Sequence, residues 1–198
     1  ANRASLPITV NAQAYLSPGS DIVALLVLEH QAYTHNLITK ANHETRLALL
    51  QSREINKLAG TPQAGLTEGA RSRIRANGEP LLAALLYSGE APLPSPVQGS
   101  STFAEDFAKR GPWDSKGRTL REFDLKTRLF RHPLSYLVHS KAFAGLPDAM
   151  KEYLASRLDA VLSGRETSKE FAHLSAGDRR AIREIVAATV PDLASRWR

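Results

Sequence analysis

Apolar residues recur at helical spacing along most of the chain, and no stretch alternates polar and apolar positions for long enough to predict a strand. The strongest signal lies between Asp21 and Gly60. Residues 22–28, Ile-Val-Ala-Leu-Leu-Val-Leu, are apolar on every side, and residues 29–36, Glu-His-Gln-Ala-Tyr-Thr-His-Asn, follow in the same register. Ser20 is placed to cap this helix and Asp21 to complement its dipole, and Gly60, Thr61 and Pro62 stop it near Ala59. Unbroken, such a helix is a rod of ~55–60 Å. That overruns a small domain, which predicts a kink or a break near residues 40–45.

A second helical pattern runs from after Thr67 to Tyr87, with Leu81, Leu82, Leu85 and Leu86 on its buried face and an interruption at Gly78 and Pro80. Residues 90–101 carry three prolines and form the clearest loop, either a linker or a cover packed over the domain. Thr102 caps a short helix over 103–110, and the turn 111–117 presents Trp113 as an anchor to the core. Leu120, Phe123, Leu125, Leu129 and Phe130 predict a helix over 118–130. Pro133 ends it and opens another over 133–143. Met150, Tyr153, Leu154, Leu158, Val161 and Leu162 predict a helix over 147–163, closed by Gly164. Ser175 and Asp178 have capping-box spacing and start a last helix to about Thr189, where Pro191 stops it and Trp197 folds the tail back. Residues 1–19 read as an arm, with a short pairing at Ile8–Val10. The expected architecture is one all-α domain, an irregular bundle of six or seven helices with a long first helix.

Composition narrows the chemistry. The chain has 198 residues, 42% hydrophobic and 23% charged, enough for a sizeable core. It has no cysteine, which excludes disulfides, iron–sulfur clusters, covalent c-type haem and a cysteine nucleophile. No apolar run is long enough to span a membrane as a helix. The opening residues Ala-Asn-Arg-Ala-Ser-Leu-Pro lack the pattern of a signal peptide and fit either the remainder of a cleaved one or the edge of an excised domain. The net charge is +6. Most cations alternate with acids along helix faces. Arg71, Arg73 and Arg75, with Arg179, Arg180 and Arg183, are the two basic patches that a nucleic-acid reading would use.

Three facts define a candidate site. Glu29 continues the apolar stripe of the first helix, so it is expected inside the bundle, paired with Arg128 or Arg131. His30, Tyr33 and His35 follow it within two turns. His132, Tyr136 and His139 share one face if 133–143 is helical. Packed together, these groups make either a hydrogen-bonded polar layer or a nitrogen and oxygen ligand set for a non-covalent metal or haem. His173 reads as local structure before the Ser175 cap, and His43 as a surface residue. No nucleophile elbow, phosphate loop or dinucleotide fingerprint occurs.

Three stretches, 20–31 (SDIVALLVLEHQ), 124–136 (DLKTRLFRHPLSY) and 171–182 (FAHLSAGDRRAI), together resemble a helical region of larger bacterial exported proteins. Some of those proteins are linked with c-type cytochrome modules. The resemblance covers under a fifth of the chain and brings no catalytic residues with it. It implies an exported bacterial origin, periplasmic or secreted, and a redox neighbourhood. This chain has no Cys-x-x-Cys-His of its own. The reading that results is a non-enzymatic binding or interaction domain, whose partner is a protein or another domain of the same parent. A metal- or haem-dependent redox protein and a basic nucleic-acid binder are the alternatives.

Overall fold

The computed structural model describes Asn11, residues 19–62 and residues 64–197. Almost all of the predicted arm and the pairing at Ile8–Val10 lie outside the described residues. The chain is an all-α irregular bundle. Among the described residues it has seven α-helices and no strand: α1 (Ile22–Leu58), α2 (Glu68–Leu85), α3 (Phe103–Ala108), α4 (Lys141–Ala144), α5 (Asp148–Leu162), α6 (Ala176–Thr189) and α7 (Pro191–Ala194). Two 3-10 turns, Tyr136–His139 and Lys169–Phe171, join them.

The 37-residue α1 is capped by Asp21, not Ser20. The Asp21 carboxylate accepts from the backbone of Val23 at 2.8 Å and of Ala24 at 3.2 Å. The helix runs on through residues 40–45 as one element, correcting the expected break. It contains neither glycine nor proline, and its buried stripe passes through that stretch as Ile38, Ala41, Thr45 and Ala48. It ends where Gly60 adopts φ 71°. There Thr61 N donates to the Asn56 carbonyl at 2.8 Å and Gly60 N to the Lys57 carbonyl at 3.1 Å, closing a Schellman motif.

Helix α2 folds back along the C-terminal half of α1. Asn56 Nδ2 donates to the carbonyls of Ala64 and Gly65, and Ser52 Oγ accepts from Thr67 N, so two buried polar residues of α1 hold the turn. Gly78 and Pro80 do not split the segment into two helices; α2 is one element through both. Leu81, Leu82 and Leu85, all fully buried, hold the helix in place beyond the proline. Gly78 lets the Tyr153 ring of α5 lie against the backbone, since a Cβ there would fall 2.5 Å from Tyr153 Cδ1. Met150, Leu154 and Leu158 of α5 then meet Ile182, Ile185 and Val186 of α6 in the core. The Ser175–Asp178 capping box forms as the spacing predicted. Trp197 packs back on the core under the Arg183 guanidinium, 4.9 Å from the ring centroid.

Residues 86–140 depart most from the predicted pattern. No helix forms over 118–130. Asp124 accepts from Thr127 N, Thr127 Oγ1 and Arg128 N, closing a tight turn in which Leu125 has φ 57°. The chain doubles back so that Phe123 and Phe130 form an antiparallel bridge, their rings stacked at 4.9 Å. The apolar spacing there served a folded-back ribbon equally well. The proline-rich loop packs over this ribbon. Leu93 N donates to the Thr127 carbonyl and Val97 N to that of Leu125. Over 133–143 the single predicted helix is replaced by the 3-10 turn and α4, because Ser135 and Ser140 each cap a new start. Trp113 is 47% exposed and anchors nothing; Trp197 takes that role.

Candidate functional site

Helix α1 is packed on one side only. Ile22, Leu25 and Leu28 are about half exposed, so the all-round apolar run is not all core. Glu29 lies on the exposed side, which corrects its expected burial. Its expected partners are engaged elsewhere: Arg128 with Asp178 at 2.6 Å and Arg131 with Glu122 at 3.4 Å. Tyr33, 59% exposed, and His35 also face outward.

His30 alone of this group turns inward. Its Nε2 lies 2.7 Å from Ser135 Oγ and 3.1 Å from the Tyr87 hydroxyl, and its Nδ1 lies 3.5 Å from Thr34 Oγ1. The Tyr87 ring stacks on it at 4.4 Å, with Phe130 and Tyr136 at 6.3 and 6.2 Å. Burial lowers the His30 pKa to about 4, so the imidazole is neutral at neutral pH, with one ring nitrogen a donor and the other an acceptor among the hydroxyls around it. Burial likewise pushes the Tyr87 phenol well above its ordinary value. Helix α2 ends at Leu85, and Tyr87 takes φ 56°, which turns its side chain into the core.

The other predicted residues do not join this centre as one layer. His132 is buried beside Glu122 at 3.2 Å; burial lowers its pKa and the carboxylate pulls the other way. Tyr136 donates to Gln31 Oε1 at 2.9 Å. His139 Nδ1 donates to the Tyr136 carbonyl at 3.2 Å and its Nε2 lies 3.0 Å from Thr189 Oγ1; burial lowers its pKa to about 4. Without an α-helix over 133–143, His132, Tyr136 and His139 lose their common face. Among the described residues, no three His, Cys, Asp or Glu side chains gather as a metal-holding group. His43 is exposed, as the sequence implied, whereas His173, expected as local structure, reaches across the fold to the Leu86 carbonyl at 2.8 Å.

The basic patches are partly consumed by structure. Arg71 pairs with Glu68, and Arg73 with Glu44 and Gln51, while Arg75 and Arg180 are exposed. Arg179 donates to the carbonyls of Leu174, Val161 and Phe171, and Arg183 pairs with Asp159 at 2.5 Å.

A cleft of about 520 Å³ opens between the first turns of α1 and the segment after α2. His30 and Tyr87 lie in its lining, Leu26, Leu93 and Leu129 contribute carbon walls, and Glu29 and Tyr33 stand among its polar, exposed members. A second cavity of about 490 Å³ shares Tyr87, Glu90 and Ala91 with the first and continues to Arg128, Lys169 and His173. Ser135 and His30 have the spacing of a nucleophile and its base, yet Ser135 is fully buried and its Oγ also accepts from Leu137 N, which makes it a cap. Tyr87, Ser135 and Thr34 were not singled out from the sequence as partners of His30. The signal available was a histidine on a helix with an apolar side, which requires buried hydroxyls from elsewhere. No protein family, curated protein or solved structure matches the chain.

Proposed function

We propose that this chain is a non-catalytic binding domain whose α1 cleft takes an amphipathic aromatic group. In the setting the resemblance implies, a larger exported bacterial protein, that group is presented by a neighbouring domain or a protein partner. The observation that carries the reading is the cleft itself. Its volume suits a small ligand or an inserted side chain, Leu26, Leu93 and Leu129 give it carbon walls, and polar groups stand on both sides, Glu29, His30 and Tyr33 on α1 and Tyr87 and Glu90 on the segment after α2. His30 and Tyr87 are neutral and stacked, so their parts of the lining offer ring surface without charge. The exposed apolar side chains of Ile22, Leu25 and Leu28 on the same turns of α1 favour a protein surface as the bearer.

The test is an NMR titration of the isotopically labelled chain with p-cresol. Saturable shifts are expected at His30, Tyr33, Tyr87 and Leu93, and their loss in Ala84→Phe, which fills the cleft with a ring. Shifts that stay linear to the highest concentration, or that persist in the filled variant, overturn the reading.

A further inference from the structure

Half-buried arginines in this chain are, with two exceptions among the described residues, held by carboxylates. Arg118 reaches Asp114 and Glu184, Arg128 reaches Asp178, Arg157 reaches Glu79 and Glu166, and Arg196 reaches Asp148. Arg73 and Arg183 are paired as described above. Arg179 is the first exception, and its Nε, Nη1 and Nη2 each donate to a carbonyl. Arg121 is the second.

The Arg121 guanidinium lies over two rings at once, 4.6 Å from the centroid of Phe107 and 4.5 Å from that of Tyr136. Those rings meet edge to face at 4.9 Å, so they form a rigid corner. Nε donates to the Gly111 carbonyl at 2.9 Å, which fixes the plane of the group. Neither Nη has a protein partner among the described residues, and neither is a buried nitrogen without one, so both reach solvent. Residues 1–20 contain no acid until Asp21, which is already committed to its cap and to Ser101. Arg110, exposed, lies close enough to act on the same group; the carboxylate its charge also reaches, Asp106, is bonded to Thr102 and Lys109. Burial first, and then the Arg110 charge, lower the Arg121 pKa. A guanidinium stays protonated under such pressure, so two cations lie near one spot and the Arg121 fork has no carboxylate of its own.

We propose that Arg121 is an oxyanion-binding site that takes a carboxylate or phosphate group through its two Nη nitrogens, with Arg110 as the supporting charge. The stacking rings and the Gly111 carbonyl hold the fork before the ligand arrives, which lowers the ordering cost of a bidentate contact. The site is separate from the α1 cleft, although the Tyr136 ring contributes to the surroundings of both Arg121 and His30.

The test follows the Arg121 Nε–H resonance of the wild-type chain while sodium phosphate or sodium acetate replaces sodium chloride at constant ionic strength. Saturation with a Kd on the order of 1 mM is expected for at least one anion. Phosphate alone identifies a phosphate-bearing ligand, acetate alone a carboxylate, and both identify a site set by the shared oxyanion geometry. Arg121→Lys keeps the charge and loses the fork, and should weaken calorimetric binding by about tenfold. Arg53→Lys, an exposed control on α1, should leave it unchanged. Linear shifts with both anions, or equal affinity in Arg121→Lys, overturn the proposal. The wild-type titration reads the site even if the lysine variant folds poorly.

Discussion

The C-terminal half of α1 packs against a second long helix, whereas its N-terminal half packs against a segment with little helix in it. In the first region the buried positions are small, Ala41, Ala48 and Ser52, and α2 supplies its own hydrogen-bond ladder. Polar side chains there are needed only at the turn, where Asn56 and Ser52 close the hairpin. In the second region the facing segment is irregular, and its amides and hydroxyls pair with α1 side chains far away in sequence. Ser101 meets Asp21, Ser135 meets His30, and Tyr136 meets Gln31. A helix pair satisfies itself, while an irregular wall must borrow. The borrowing concentrates polar chemistry at one end of α1, and the larger cleft opens there.

The comparison breaks most readily at Phe130, which is 2% exposed in the irregular wall, against Leu82, fully buried in α2. Phe130→Ala should cost ~3–5 kcal/mol and Leu82→Ala ~2–5 kcal/mol, read from urea midpoints at constant m. A cost under about 1.5 kcal/mol for Phe130→Ala would mean that the wall collapses around the missing ring and is not a true core.

Acid should expose the same difference. His30, held by Ser135 and Tyr87 of the irregular wall, and His139, part of that wall, have folded pKa values of about 4 against 6.5 as the ordinary value. The unfolded chain therefore takes up protons that the folded chain refuses. Stability is full above pH 6.5 and falls as pH drops toward 4, by up to ~1.4 kcal/mol per pH unit for each histidine. The lowered carboxylates release their stability mainly below that window, while burial raises the Glu90 pKa and its protonation opposes the loss, so the difference between wild type and a histidine variant isolates the histidine share. His30→Gln should remove one share of the slope. A slope unchanged in that variant would show that the His30 ring accepts protons in place.

The smallest effect belongs to Glu29. Exposed on α1, it should tolerate Glu29→Ala within ~0.5 kcal/mol in thermal melts. A loss above about 1 kcal/mol would restore the interior position that its place on the apolar stripe implied.

That stripe shows what was legible from residues alone. The glycine stop of α1, the Ser175 capping box, α5 and the returning tail are readable, because caps, glycine stops and apolar period act locally. The orientation of α1 is not. Ile22, Leu25 and Leu28 carry the same periodic signal as Val23 and Val27, and only the arrival of one wall decides which side is buried. Residues 118–130 misled for a related reason. Leu120, Phe123, Leu129 and Phe130 satisfy a helix and a doubled-back ribbon alike, and Asp124 with its turn-closing bonds decided between them. His30 was identified as a site residue, but its true partners come from positions 87 and 135, a separation that periodicity does not reach.

One carboxylate ties two remote stretches together. Asp21 spends one oxygen on the opening amides of α1 and the other on the amide and hydroxyl of Ser101, while Gly99 leaves room for it, since a Cβ there would stand 2.8 Å away. The loop end and the first helical turn therefore form a single cooperative opening unit. Fraying at either place unlatches the other, so the amide protons of Val23 and Ser101 exchange with solvent at a common rate, despite the 80 residues between Asp21 and Ser101.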